Sequence, residues 1–170
     1  MGDLSVEVLI RNATLEDLPA LEWDGEFAHF RRLYNEVYKS SLKGEAVLWV
    51  VEAQAVGVVG QVFVQLRSAR TELADGANRA YIYGFRIQAA YRRQGIGTRL
   101  LQSVEGDLAR RGFRRVVLNV SRVNLAARRL YERLGYRVVA AEPGRWSYLD
   151  QFGRRQEVNE PAWRMEKALQ

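Results

Sequence analysis

Residues 92–98 read Arg-Arg-Gln-Gly-Ile-Gly-Thr and stand where a β-type run gives way to a helical one. Two glycines two apart let the chain turn tightly and let an anion approach bare backbone. Just beyond them, the free N–H groups of a first helical turn point at such an anion, helped by the helix dipole. Arg92 and Arg93 lie beside the turn and add charge, so a pyrophosphate is the natural guest. The spacing is not the dinucleotide fingerprint, which needs a third glycine where Leu100 stands. Nor is it the phosphate-binding loop of ATPases, which needs Gly-Lys before Ser or Thr. On these residues alone, a plain strand-to-helix turn is the competing reading.

A second set lies further on. Asn124 opens a short helical stretch, and Tyr131 follows seven residues later, about two turns on and on nearly the same face. Asn124 can cap its own helix, and Tyr131 read alone is a core aromatic. Other chemistries are poorly supplied. The chain has no cysteine and a single histidine, His29, which removes thiolate nucleophiles and leaves little for a zinc site or a Ser-His-Asp triad. No metal is expected.

Of the 26 basic residues 23 are arginine, within a net charge of +6. Arginine forks grip phosphates and carboxylates in pairs, but most of these side chains fall on polar faces of amphipathic stretches, where a GC-rich genome explains them. No recognition helix or aromatic stacking motif accompanies them, so nucleic acid is not an expected partner. No apolar run approaches the ~18 residues of a membrane span. The N-terminus, with Asp3 and Glu7, lacks the basic region of a signal peptide. A cytoplasmic location is the default expectation, without a membrane partner.

The elements that must position these residues follow from periodicity. Alternation over 4–11 predicts a first strand, and Thr14 with Asp17 resembles a helix start. Residues 15–42 read as one or two helices, with Gly25 a possible interruption and Gly44 a stop. Strands are predicted over 46–53, 56–67 and about 80–88, with a polar loop over 70–79. Ile96, Leu100, Leu101, Val104 and Leu108 fall at helical spacing, and Gly112 ends that helix. A strand over 114–121, a helix over 125–134 and closing strands over 136–141, 146–151 and 162–169 complete a single α/β domain, 1–170, around one sheet.

In this order, F-R-I-Q-A-A-Y-R-R-Q-G-I-G-T-R-L-L followed by V-L-N-V-S-R-V-N-L-A-A-R-R-L-Y-E-R-L-G-Y resembles the acyl-CoA-binding core of the GCN5-related N-acetyltransferase (GNAT) superfamily. Specific motifs cover about residues 80–138; the upstream elements fit without them. The resemblance implies a central mixed, mostly antiparallel sheet flanked by helices, with a strand splayed at the CoA site. It implies acetyl-CoA as co-substrate and a primary amine as acceptor, on a small molecule or on a protein; Asn119 tilts the choice slightly toward the small molecule.

In such a protein Phe85, Arg86 and Ile87 offer backbone hydrogen bonds to the pantetheine arm. Arg92, Arg93, Gln94, Gly95, Ile96, Gly97 and Thr98 hold the pyrophosphate, with Arg128 and Arg129 near the 3′-phosphate. Asn124 bonds the pantetheine, caps its helix, or both. Tyr131 reaches the CoA sulfur and serves as general acid. Direct attack of the amine on the thioester needs no enzyme nucleophile, in keeping with a chain without cysteine.

One position departs from the relatives that acetylate protein N-termini: Asn119 stands where they carry a Glu, and Asn cannot act as a base. Glu45, Glu52, Tyr81, Tyr83 and a water relay are the alternatives, and none is singled out. Trp23, His29, Phe30 and Tyr34, with Trp146, Tyr148 and Trp163, are aromatics of the acceptor region, though core packing suits His29 and Phe30 at least as well. Asp24, Glu26 and Glu36 form a modest acidic group there. Homodimers are common in the superfamily. The empty Glu position also leaves open a non-catalytic acyl-CoA sensor on the same fold.

Overall fold

The computed structural model describes residues 7–170. Seven strands form one sheet: β1 (Val8–Asn12), β2 (Ala46–Ala53), β3 (Gly57–Gln65), β4 (Arg79–Ile87), β5 (Arg115–Ser121), β6 (Arg137–Glu142) and β9 (Ala162–Ala168), with β7 (Arg145–Leu149) and β8 (Arg155–Asn159) paired separately as a hairpin. The order across the large sheet is β1-β2-β3-β4-β5-β9-β6. Every neighbouring pair is antiparallel except β4–β5. That parallel pair needs a crossover, and α2 (Ile96–Arg110) supplies it. The one-sheet expectation is corrected accordingly: a strand over 155–159, absent from it, folds back on β7. The predicted first strand is seen from Val8; residues 4–6 lie outside the described residues.

Apolar patterning decides the layers. On one face of the sheet, Ile96, Leu100, Leu101, Val104 and Leu108 of α2 are all buried against Val62, Ile82, Val116 and Leu118, as the helical spacing predicts. α3 (Leu125–Arg133) adds Tyr131 to this layer. The other face packs Leu18 and Leu21, then Tyr34 and Val37 of α1 (Arg31–Leu42), onto Val50 and Phe63. The stretch predicted as one or two helices over 15–42 is divided: Leu15–Glu22 and Ala28–Phe30 are 3-10 turns, and only α1 is α-helical. Pro19 lacks the N–H that a continued helix needs, and Trp23 and Asp24 take left-handed backbone. Arg11 of β1 ties the first of these turns down by two bonds to Asp17, 2.7 and 2.9 Å. The Arg11 bond, with backbone N–H of Thr14, lowers the Asp17 carboxyl to about 2.

Candidate active site

The β4–β5 ladder stops early. Parallel pairing runs from Arg79↔Arg115 to Ile82↔Leu118, yet β4 continues to Ile87 and β5 to Ser121. β3 remains on the other edge of β4 as far as Gly60↔Ile87. From Tyr83 onward, therefore, one edge of β4 faces a wedge-shaped opening. This is the splay the resemblance implied.

Within that stretch β4 carries a bulge. Three residues of β3, Gln61 to Phe63, oppose four of β4, Tyr83 to Arg86. Gly84 adopts φ +65°, and a Cβ there would lie 2.6 Å from the Phe63 ring. The extra residue puts Tyr83 and Arg86, three apart, on the α1 side, while Phe85 and Ile87 turn to the α2 side. Strict alternation would have placed Tyr83 and Arg86 on opposite faces.

On the α2 side, Phe85 connects two elements. A Cβ on Gly97 would sit 2.9 Å from its ring, and Tyr131 of α3 lies 6.3 Å away between centroids. Gly95 precedes α2 with φ +77° and open space around it. The Arg99 N–H bonds the Gly95 carbonyl at 3.0 Å, so the N–H groups of Ile96, Gly97 and Thr98 precede the helical ladder and are available to a ligand. Arg93 is exposed, with φ 63°. Arg92 is also exposed, but its Nε donates to the Ile87 carbonyl at 2.8 Å, tying it to the end of β4. Gln94 Nε2 donates to Ala90 at 3.2 Å.

Asn124 caps α3 by accepting from the Ala127 N–H at 3.1 Å. Tyr131 is 7% exposed, and burial pushes its phenol up to about 12. Of the two arginines expected near a 3′-phosphate, Arg128 pairs with Glu132 at 2.7 Å, and Arg129 is exposed.

On the α1 side a cavity of about 500 Å³ opens between β4, β5, α1 and β7. Tyr81, Tyr83 and Gly84 of β4 line it, together with Asn119 of β5 and Glu142 of β6. Asn119 donates from Nδ2 to Tyr81 Oη at 3.3 Å, while its buried Oδ1 has no partner among the described residues. Glu142, 5% exposed, is shared by Arg70 (2.9 and 3.2 Å) and Arg164 (2.8 Å). Burial raises both Tyr81 and Tyr83, so neither readily forms a phenolate.

The aromatic residues separate by position. Phe30, Tyr34 and Trp146 line the cavity, and Tyr148 packs on Phe30 at 4.9 Å behind them. Trp23 and His29 stand outside the lining, and Trp163 lies under the Arg122 guanidinium at 4.4 Å. Glu52 is drawn into an ion pair with Arg11 at 3.0 Å, away from the cavity. Exposed Glu45, with Glu36, lines a separate 230 Å³ depression. Glu142 and Arg70 were not among the sequence candidates. They meet across 72 residues, and no local spacing announces such a pair.

Comparisons with known proteins agree with this geometry. The sequence is 30% identical over 133 residues to "Probable N-acetyltransferase camello" of Xenopus tropicalis, covering 73% of this chain and 58% of the relative. It is 34% identical over 93 residues to mycothiol acetyltransferase of Corynebacterium diphtheriae, 55% of this chain and 29% of that protein. The matched stretch thus spans little more than half of the first relative and under a third of the second. Among solved structures, Ard1 from Thermoplasma volcanium superposes with a TM-score of 0.74 at 18% identity, covering 97% of this chain and 99% of that one. Arabidopsis thaliana NAA60 in complex with a bisubstrate analogue gives 0.71 at 20% identity, with 96% and 98% covered. These likenesses show a shared fold. The sequence pattern described as "Acetyltransferase (GNAT) family" matches residues 12–136, and the chain belongs to that family.

Proposed function

We propose that the protein is an acetyl-CoA-dependent N-acetyltransferase that acetylates the primary amine of a small molecule by direct attack. The observation that carries this reading is the splay. It joins an anion-ready helix start on one face of β4 to a 500 Å³ cavity on the other. That volume is in the usual range for small-molecule sites. NAA60 of Arabidopsis thaliana, which shares the fold, has been solved with acetyl-CoA.

Bound acetyl-CoA supplies the activated acetyl group. The N–H groups of Ile96, Gly97 and Thr98, with Arg93, fit a pyrophosphate through hydrogen bonds and charge. The open edge of β4 over Phe85–Ile87 fits an extended arm, as a sheet edge takes a peptide. Tyr131 holds its proton throughout the neutral range and donates it to the departing sulfur, and the proton shed by the acylated nitrogen passes through solvent to restore the phenol. The burial that raises this phenol also raises a thiolate beside it, which keeps the transfer feasible. Asn119 Oδ1, without a partner, accepts an N–H of the incoming amine and so orients its lone pair.

Release of free CoA over a panel of primary amines tests the reading, alongside the thermal shift given by acetyl-CoA. Stabilisation by acetyl-CoA together with amine-dependent CoA release is the expected result. Stabilisation with no release across the panel would favour an acyl-CoA sensor.

A further inference from the structure

The arginines around the cavity are of two kinds. Arg70 and Arg164 share the Glu142 carboxylate, and Arg70 also holds Glu72 at 2.8 Å. Arg86 has no carboxylate partner among the described residues. Its guanidinium carbon lies 3.9 Å from the Phe27 ring centroid and 5.5 Å from that of Phe30, and Nη1 donates to Tyr34 Oη at 3.0 Å. These contacts fix the position of a cation without neutralising it. They use one of its five N–H donors, leaving most of the planar fork free.

The bulge at Gly84 is what turns this side chain into the cavity. A half-buried guanidinium without a counter-ion has lost hydration, and an arriving carboxylate restores that loss through charge-assisted bonds. The cavity lining as a whole carries three arginines, Arg70, Arg86 and Arg145, against the single carboxylate of Glu142. Such a wall repels a polycation.

We propose that the acceptor carries a carboxylate as well as its amine, and that Arg86 is the side chain that selects it. The inference rests on the acetyl-transfer reading above. It narrows the acceptor to an amino-acid-like small molecule, with the carboxylate at Arg86 and the amine toward Asn119. Both residues line the same cavity.

The test compares matched acceptors: L-phenylalanine with 2-phenylethylamine, L-leucine with 3-methylbutylamine, and L-methionine with 3-(methylthio)propylamine. CoA release is measured for the wild type, Arg86→Gln and Arg86→Lys. Wild-type kcat/KM is expected to favour the carboxylated member of at least one pair by roughly 10- to 100-fold, the worth of a hydrogen bond to a charged group. Arg86→Gln should bring that ratio close to one, mainly through KM. Arg86→Lys, which keeps the charge and loses the fork, should fall between them.

Thermal shift with each amine gives a readout that does not need turnover, and carboxylated members should shift the wild type and not Arg86→Gln. A preference for the decarboxylated members, or an equal loss on both members of a pair in Arg86→Gln, overturns the proposal. So does the absence of turnover and of thermal shift for every carboxylated member. Acetyl-CoA stabilisation and release with any other amine would then leave the transferase reading standing. Loss of acetyl-CoA stabilisation in the wild type would remove that reading instead. If Arg86→Gln does not fold, the wild-type ratio and Arg86→Lys decide the matter.

Discussion

On the α2 side of β4, the groups that face the splay come from two short stretches besides β4 itself: 92–98, a turn and the start of α2, and 124–131, the cap and most of α3. On the α1 side, the cavity wall draws on α1, the segment around Arg70, β4, β5 and β7, which are remote in sequence. The first side rests mainly on backbone, namely free N–H groups, a left-handed glycine and an open strand edge, with Asn124 and Tyr131 as its added side chains. The second is built from side chains that meet only when the chain has folded. A site of the first kind survives wide change in its surroundings, because backbone geometry tolerates most side chains. A site of the second kind alters with each substitution. Under the proposed function, the shared chemistry falls on the first face and the choice of acceptor on the second.

Gly84 is the point at which the two sides are joined, so its substitution carries the largest expected effect. In Gly84→Ala the new Cβ would sit 2.6 Å from the Phe63 ring while the backbone stays at φ +65°. Left-handed strain and overpacking together cost roughly 3 kcal/mol. Denaturant unfolding should show that loss, and the KM values for acetyl-CoA and for the acceptor should rise together. A change in only one of them would mean that the bulge serves a single face.

Tyr131→Phe acts on the α2 side alone. Removal of a general acid should lower kcat roughly 100-fold, while the KM of acetyl-CoA stays within about threefold. Unchanged kcat would make Tyr131 a packing residue. Because burial holds the wild-type phenol at about 12, it stays protonated through the accessible alkaline range. The wild-type kcat profile should accordingly show no alkaline decline below about pH 11 that is absent from Tyr131→Phe.

The converse variant addresses the acceptor side. Asp150, buried next to the turn of the β7–β8 hairpin, accepts from the N–H groups of Phe152 and Arg154 at 2.9 and 2.8 Å and from Gln156 Nε2 at 3.0 Å. Asp150→Ala should loosen the hairpin and with it Trp146 in the cavity wall. The expected result is a roughly tenfold rise in acceptor KM, with acetyl-CoA KM unchanged. A matching rise for acetyl-CoA would show the faces to be coupled.

The same division explains what the sequence disclosed. The five apolar residues of α2 and the Gly95–Gly97 turn were legible because period and turn chemistry act within a few residues. The implied splay has a visible origin in β4 and β5, whose pairing ends at Ile82↔Leu118. The bulge was not legible: Gly84 looks like any strand glycine until Phe63, on another strand, is packed against it. Glu142 was missed for a similar reason, since its partners Arg70 and Arg164 come from distant segments. The strand over 155–159 escaped notice because its residues Arg-Gln-Glu-Val-Asn are almost wholly exposed and lack an apolar face to reveal them. Arg86, counted with the CoA-facing strand, directs its side chain to the opposite face because the bulge shifts its register.

Asn124 gives the smallest expected effect and the sharpest separation of two roles. Its Oδ1 caps α3 through the Ala127 N–H, whereas Nδ2 is left to donate elsewhere. Asn124→Asp keeps a capping oxygen and suits the positive end of the helix, so stability should hold within about 0.5 kcal/mol. It removes the amide donor and sets a negative charge beside the splay. Asn124→Ala loses both functions and should cost about 1 kcal/mol in unfolding free energy. If the amide contacts the pantetheine arm, both variants bind acetyl-CoA several-fold more weakly even though only one is destabilised. If Asn124→Asp binds acetyl-CoA as the wild type does, the residue is a helix cap and nothing more, and the α2 face depends still more heavily on its backbone groups.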